Sequence, residues 1–215
     1  MAARRRSPQP WLKAGLFVGG LVPLAAILMR AETGALGADP IAEALNQLGL
    51  VALIFLVASL ACSPLKTILG WTWPIRFRRE LGLFAFFYAL AHVSTYTGLD
   101  QSFDFRAIFA DVTERQFIFV GFAAFVLLVP LAATSTGAAV RRLGFVRWKR
   151  LHRLAYVAAV LVAIHFLLRV KVVTTEPLAY AVIVGGLLLV RIVAFKRWRP
   201  TPRAPGTLGP VPGKA

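Results

Sequence analysis

The sequence predicts an all-α, polytopic membrane protein: a bundle of six transmembrane helices with both termini in the cytoplasm. Three observations lead to this prediction. The chain of 215 residues is 58% hydrophobic and has a mean hydropathy of +0.70, which is too apolar for a soluble globular domain. The apolar residues form separate long runs, and the basic residues collect in alternate connections between them. The composition also excludes a disordered chain, and the single cysteine, Cys62, excludes a disulfide-stapled secreted domain.

Six apolar runs, each of about 15–20 residues, are the predicted membrane spans. A helix rises about 1.5 Å per residue, so about 20 residues cross a hydrocarbon core about 30 Å thick. The shorter runs reach this length with flanking residues, because Lys and Arg side chains extend to the headgroups. Helices are predicted because lipid does not satisfy unpaired backbone groups. In chain order the runs are 14–29, 46–62, 81–97, 116–134, 154–168 and 178–195.

The charged residues predict the orientation of the bundle. Alternate connections carry 20 of the 25 Lys and Arg residues, in the stretches 4–13, 66–79, 141–153 and 191–214. Eight of the nine acidic residues lie in the other connections, and Glu80 is the exception. Because cytoplasmic loops are enriched in Lys and Arg, both termini are predicted on that side. The predicted organisation is a basic cytoplasmic N-terminus (1–13), the six-helix domain (14–198) and a Pro/Gly-rich cytoplasmic tail (199–215).

The three histidines are the strongest functional signal, because no Asp, Glu, Lys or Arg lies deep within an apolar run. His92 lies five residues before the outer end of the third run, and His165 lies four residues before the outer end of the fifth. At about 1.5 Å per residue the two are at nearly the same depth. Two imidazoles at one depth on two helices can bind one haem iron from opposite sides. The alternative is that each buried histidine only hydrogen-bonds to a backbone carbonyl.

His152 lies at the cytoplasmic edge of the fifth run, thirteen residues before His165. That spacing is about 20 Å along the helix, which suits a second cofactor, but it places the side chains roughly 140° apart. They would face the same way only with a π-bulge or a kink. The inner end of the third run has Arg78, Arg79 and Glu80 and no histidine, so two histidines of one chain cannot hold a second haem there. His152 then binds a haem with another partner, contacts a propionate or a quinone, or is a solvated interfacial histidine.

Several short segments, in order over roughly residues 45–170, resemble the MsrQ (YedZ) family. Members are haem-binding membrane subunits of the periplasmic methionine sulfoxide reductase system, and they belong to the ferric-reductase-like transmembrane domains. The segments that carry the resemblance are Ser63-Pro64-Leu65, Arg79-Glu80-Leu81-Gly82-Leu83, Tyr88-Ala89-Leu90-Ala91-His92, Pro130-Leu131-Ala132-Ala133-Thr134-Ser135, Trp148-Lys149-Arg150-Leu151-His152-Arg153-Leu154-Ala155-Tyr156 and Ile164-His165.

The resemblance implies a membrane electron-transfer subunit that has no substrate-reducing site of its own. It implies b-type haem with His92 and His165 as axial ligands, an FMN, and quinol as the electron source. It also implies a bacterial inner-membrane location and a heterodimer with a periplasmic molybdenum-containing methionine sulfoxide reductase, which repairs oxidised proteins. The sequence lacks a dinucleotide-binding fingerprint, so the electrons must come from another protein or a lipid-soluble donor. The acidic outer connection, with Asp100, Asp104, Asp111 and Glu114, is either the docking surface for the partner or an ordinary solvated periplasmic loop.

Two other classes of function stay open from the residues. A stand-alone cytochrome b that reduces ferric iron would share the haem and need no protein partner. A non-redox membrane transporter or assembly factor would need no haem. Transporters usually carry charges or broken helices at the membrane midplane, and Pro23 and Pro130 occur within runs that hold no midplane charge.

Overall fold

The computed structural model describes residues 10–170 and 174–197, and all regular structure in these ranges is helical. The predicted tail 199–215 and most of the predicted N-terminal segment 1–13 lie outside the described residues. A 3₁₀ turn (Pro74–Phe77) precedes the helix Arg78–Thr95, and a π-helical turn (Tyr96–Asp100) follows that helix. The α-helices are α1 (Pro10–Glu32), α2 (Pro40–Leu69), α3 (Arg78–Thr95), α4 (Phe105–Glu114), α5 (Gln116–Ala133), α6 (Gly137–Leu143), α7 (Phe145–Leu151), α8 (Leu154–Arg169) and α9 (Thr175–Arg197).

Each of the six predicted runs coincides with a helix of this fold, namely α1, α2, α3, α5, α8 and α9. Five helical segments in the described part of the chain are long and apolar enough to cross a membrane. The helix α3 does not meet that standard, because its first three residues are Arg78, Arg79 and Glu80. The five segments are Trp11–Glu32, Pro40–Leu69, Gln116–Ala133, Phe145–Arg169 and Thr175–Ala194.

Local sequence signals explain where the longest helix, α2, begins and ends. The Asp39 side chain accepts a hydrogen bond from the backbone N–H of Ala42, and Pro40 occupies the first turn, where no internal N–H bond is lost. At the other end Gly70 adopts a left-handed conformation (φ 70°) and its N–H bonds to the Lys66 carbonyl. Glycine adopts this conformation without the steric penalty of a Cβ atom.

Small side chains allow the central helices to approach closely. Ala158 and Ala159 of α8 have no exposed surface, and Ala85 of α3 is 1% exposed. These residues share one buried cluster with Leu56 of α2 and Leu128 of α5. In a membrane, helices associate through close packing of small residues, since lipid gives no hydrophobic drive between them. This cluster joins α3, which carries His92, to α8, which carries His165.

The helix α1 lies at the edge of the bundle and is attached through Tyr88 of α3. The Tyr88 hydroxyl donates to the Gly20 carbonyl (2.7 Å) and accepts from the Leu24 N–H (3.0 Å). It therefore stands between a carbonyl and an N–H that are usually bonded to each other in an α-helix. Gly20 also packs against Phe84, whose ring would lie 2.4 Å from a Cβ atom at this position. The contact therefore depends on a tyrosine and a glycine.

The connections between the predicted spans contain additional short helices, which apolar runs alone do not predict. The outer connection forms α4, and the inner basic connection forms α6 and α7. The helix α4 begins at Asp104, whose carboxylate accepts from the N–H groups of Arg106 and Ala107. The helices α7 and α8 are separated by a turn at His152–Arg153, so His152 itself lies at a break between two helices.

We expect Tyr88→Phe to weaken the attachment of α1, because the substitution removes both hydroxyl bonds. The loss of one hydrogen bond typically lowers the free energy of unfolding by about 0.5–1.5 kcal/mol. The thermal midpoint of the detergent-solubilised protein should therefore fall by a few degrees. Tyr180→Phe is the matched control, since its hydroxyl makes no hydrogen bond to the described residues. An equal fall in both variants would contradict the proposed attachment.

Candidate functional site

The structure brings His92 of α3 and His165 of α8 together in the half of the bundle that includes α4. The two imidazole ring centroids lie 6.3 Å apart, and the ring planes are nearly perpendicular at 81°. Each ring is partly buried. The two side chains come from helices that are separated by α5 in the chain, so only the tertiary packing could establish this distance.

A backbone carbonyl holds each ring in place. His92 Nδ1 lies 2.9 Å from the Leu45 carbonyl oxygen of α2, and His165 Nδ1 lies 2.6 Å from the Phe117 carbonyl oxygen of α5. A carbonyl only accepts hydrogen bonds, so in both rings Nδ1 carries the proton and donates. The Nε2 atom of each neutral ring therefore keeps a free lone pair, which is the tautomer that binds a metal ion.

The separation of the rings fits one metal ion bound between them. A metal–imidazole bond is about 2 Å long and a ring nitrogen lies about 1 Å from its centroid, so two rings on opposite sides of one ion have centroids about 6 Å apart. The described residues contain no cluster of three or more His, Cys, Asp or Glu side chains that could hold a metal ion. Haem is a group that needs only two protein ligands, because its macrocycle supplies the other metal-binding nitrogens.

A cavity of about 420 Å³ opens between the two histidines. Its volume lies in the usual range for cofactor sites, roughly 300–1,000 Å³. The deeper wall is apolar and includes several small side chains, which leave room for a large flat group. This wall is formed by Leu53, Leu56, Ala85, Ala89, Ala124 and Leu128.

Polar and charged side chains line the outer end of the same cavity. Arg169 donates a hydrogen bond to Asn46. Asp111 pairs with Arg115 (3.1 Å) and accepts from the Tyr96 hydroxyl (2.9 Å). The cavity is therefore apolar at depth and charged at its mouth, which suits a ligand with an apolar body and ionised groups at one edge.

Three of the four acidic residues in the predicted docking surface form hydrogen bonds within the fold. Asp104 caps α4, and Asp111 joins the cavity mouth to the end of α3 through Tyr96. Asp100 accepts from Gln101. The exposed surface of this connection is aromatic as well as acidic, since Phe105 and Phe109 are 77% and 71% exposed.

His152 lies at the opposite end of α8 and does not line this cavity. Its ring stacks on Trp148 with centroids 4.0 Å apart, and its Nδ1 lies 3.2 Å from the Trp148 carbonyl oxygen. Its Nε2 is buried and has no hydrogen-bond partner in the described part of the chain. The structure therefore separates His152 from the facing pair.

Sequence reasoning did not find the two carbonyls that orient the rings, at Leu45 and Phe117. A backbone carbonyl has no residue-type signal, so nothing in the side chains at these positions could have identified it. The cavity-mouth residues Arg115 and Arg169 were also not singled out, because each is an ordinary charged residue at a helix end.

The all-helical bundle and the two histidines that face one cavity place this chain in the class of cytochrome-like membrane proteins. The chain matches, over residues 39–163, the sequence model of the family described as ferric reductase like transmembrane component. This match begins at the N-cap of α2 and ends two residues before His165, so it covers α2 to α7 and the first ten residues of α8.

Three similar proteins share the name protein-methionine-sulfoxide reductase heme-binding subunit MsrQ. The protein from Rhodospirillum rubrum is 52% identical over 193 residues, which cover 90% of this chain and 93% of that protein. The protein from Deinococcus radiodurans is 48% identical, with 88% and 94% covered. The protein from Herminiimonas arsenicoxydans is 44% identical, with 87% and 86% covered. The chain belongs to the MsrQ family of ferric reductase-like membrane proteins, which confirms the resemblance seen in its motifs. No solved structure matches the chain.

We expect Ala124→Phe to prevent a planar cofactor from entering the cavity, because Ala124 lines it and is only 2% exposed. The bound haem per purified protein should fall several-fold, as measured by pyridine haemochrome absorbance. Val126→Phe on the same helix is the matched control, since Val126 is 61% exposed and its side chain does not line the cavity. Equal haem content in the two variants would contradict this assignment of the cavity.

Proposed function

We propose that this protein is the haem-binding electron-transfer subunit of a methionine sulfoxide reductase system. One observation carries the proposal: two histidines face each other across a cavity, 6.3 Å apart, with both Nδ1 atoms bonded to carbonyls. The relatives are named as heme-binding subunits of a protein-methionine-sulfoxide reductase, which supports the same function.

His92 and His165 would hold a b-type haem through their Nε2 atoms. The haem supplies one-electron oxidation and reduction. With His92 and His165 both bound to its iron, the haem would favour electron transfer over oxygen binding. The apolar wall would surround the macrocycle, and the cationic side chains of Arg115 and Arg169 lie at the cavity mouth, where haem carboxylates need positive charge.

The proposed topology has six spans, with α3 as the third and both termini in the cytoplasm of a bacterium with an inner membrane. The charged residues at the start of α3 support it, because Arg78 and Arg79 then lie at the cytoplasmic headgroups and the apolar remainder crosses the bilayer. This orientation places the histidine pair in the outer half of the membrane. Reporter fusions after Arg197 and within the 101–104 turn test it: cytoplasmic and periplasmic activity, respectively, are expected.

The electron source and the acceptor follow from the family. Quinol is the proposed donor, and a periplasmic molybdenum-containing methionine sulfoxide reductase is the proposed acceptor and heterodimer partner. FMN is a further proposed cofactor, on the resemblance alone. His152 is proposed to contact a second haem or an inner-side cofactor, and its buried, unpartnered Nε2 supports that role.

The first experiment records oxidised and reduced visible spectra of the purified protein in detergent. A six-coordinate b-type spectrum is expected in the native protein. His92→Ala and His165→Ala should each lose it, since one remaining imidazole leaves the iron five-coordinate or unbound. His152→Ala is the matched control and should keep the signal of the haem held by the facing pair. A native protein expressed with ample haem that shows no haem absorbance would overturn the proposal.

The second experiment places the protein in lipid nanodiscs with a reduced quinol. We expect the haem absorbance to shift to the reduced form and to return to the oxidised form when the periplasmic reductase and methionine sulfoxide are added. A haem that quinol reduces but the reductase does not reoxidise would favour the stand-alone cytochrome b.

A further inference from the structure

Each of the two facing histidines packs against a glycine of a neighbouring helix. An added Cβ atom at Gly121 of α5 would lie 2.7 Å from His165 Nδ1 and 2.9 Å from its Cε1. An added Cβ atom at Gly49 of α2 would lie 3.2 Å from His92 Nδ1 and Cε1. Both glycines also line the cavity.

The positions of these glycines follow from the carbonyls that the rings use. His92 bonds to the carbonyl of Leu45, four residues before Gly49, and His165 bonds to the carbonyl of Phe117, four residues before Gly121. In an α-helix the N–H of residue i+4 bonds to the carbonyl of residue i. The Cα–Cβ bond at i+4 points back towards the N-terminus, over that carbonyl. A side chain at i+4 therefore occupies the space that an imidazole needs to reach the same carbonyl.

We propose that Gly49 and Gly121 are positioning residues for the two haem-ligating histidines. Each glycine opens one helix carbonyl to an imidazole Nδ1, and the carbonyl then fixes the ring orientation and the proton on Nδ1. This inference rests on the proposed function, in which His92 and His165 hold the haem.

The arrangement is repeated in two helix pairs of the bundle. The bonded carbonyl precedes its histidine by 47 residues in the pair α2 and α3 and by 48 residues in the pair α5 and α8. In both pairs, one helix supplies the carbonyl and, four residues later, the glycine. The helix packed against it supplies the histidine. Among the glycines of the described residues, only Gly49 and Gly121 meet a histidine ring at their Cβ positions; Gly20 meets Phe84, and Gly15, Gly19, Gly185 and Gly186 meet nothing within 4 Å.

The two glycines should differ in how strictly they are required. A contact of 2.7 Å at Gly121 forces His165 to move, whereas 3.2 Å at Gly49 requires His92 to move only by a few tenths of an ångström. Movement of either ring lengthens its Nδ1–H bond to the carbonyl. A weaker bond makes the imidazole a less basic ligand, which stabilises the ferric iron less and raises the haem reduction potential.

The test compares Gly121→Ala and Gly49→Ala with the control Gly185→Ala in the full-length protein, purified with haem. We expect Gly121→Ala to lose the low-spin six-coordinate spectrum or to raise the midpoint potential, with an altered ferric electron paramagnetic resonance signal. Gly49→Ala should change the same quantities in the same direction by less, and the control should match the native protein. Native-like spectra and potentials in both test variants would overturn the inference.

A double-mutant cycle separates positioning from general packing. In the His165→Ala background the ring that would meet the new methyl group is absent, so Gly121→Ala should no longer lower the thermal midpoint. An equal loss of stability with and without the His165 ring would show a packing role and overturn the inference.

If Gly121→Ala cannot be purified, Gly49→Ala with its spectrum and potential decides the question. A native protein without haem would reject the proposed function instead, while the cycle would still report whether Gly121 positions His165.

Discussion

The hydrogen bond from each histidine Nδ1 to a helix carbonyl is the interaction on which the site depends. It sets the tautomer that leaves Nε2 free, and it directs both rings across the cavity. In a low-dielectric membrane interior an imidazole without a partner is costly, so a carbonyl that accepts its proton also stabilises its burial. The small residues around the rings, Gly49, Gly121, Ala85 and Ala124, are then necessary, because they give the rings and a flat cofactor the space they need.

The distribution of polar groups divides the bundle into two ends with different chemistry. The outer end holds the cavity mouth with Arg169, Arg115 and Asp111 in hydrogen bonds or an ion pair. At the other end the buried polar atoms Glu80 Oε2, His152 Nε2 and Arg191 Nη1 have no partner within the described ranges. Unpartnered buried polar atoms are rare in native proteins and need an explanation such as a bound group. The two ends of the bundle therefore differ in how their buried polar groups are satisfied.

The helices also differ in what holds them in place. The centre of the bundle is held by contact between small residues of α3 and α8 and leucines of α2 and α5, whereas α1 is exposed along most of its length and depends on Tyr88 and Gly20. The hydroxyl of Tyr88 enters the hydrogen-bond ladder of α1, so a single side chain replaces a backbone interaction. The cavity is lined mainly by α2, α3, α5 and α8, with a few residues from α4, the turn after α3 and α9 at its mouth, and α1 supplies none of its lining.

The sequence alone determined the helical membrane class and the family, and it predicted His92 and His165 as the candidate pair. It also placed the limits of the helices to within four residues, except for α2, which extends six residues before and seven residues after the predicted run. These properties depend on hydropathy, charge placement and residue type, which are local and readable along the chain. Only the tertiary structure decided that the two rings stand 6.3 Å apart, that carbonyls of other helices orient them, and that Gly49 and Gly121 open those carbonyls. The reason is physical: these are contacts between residues more than 40 positions apart, and a carbonyl or a missing side chain has no signal of its own in a sequence.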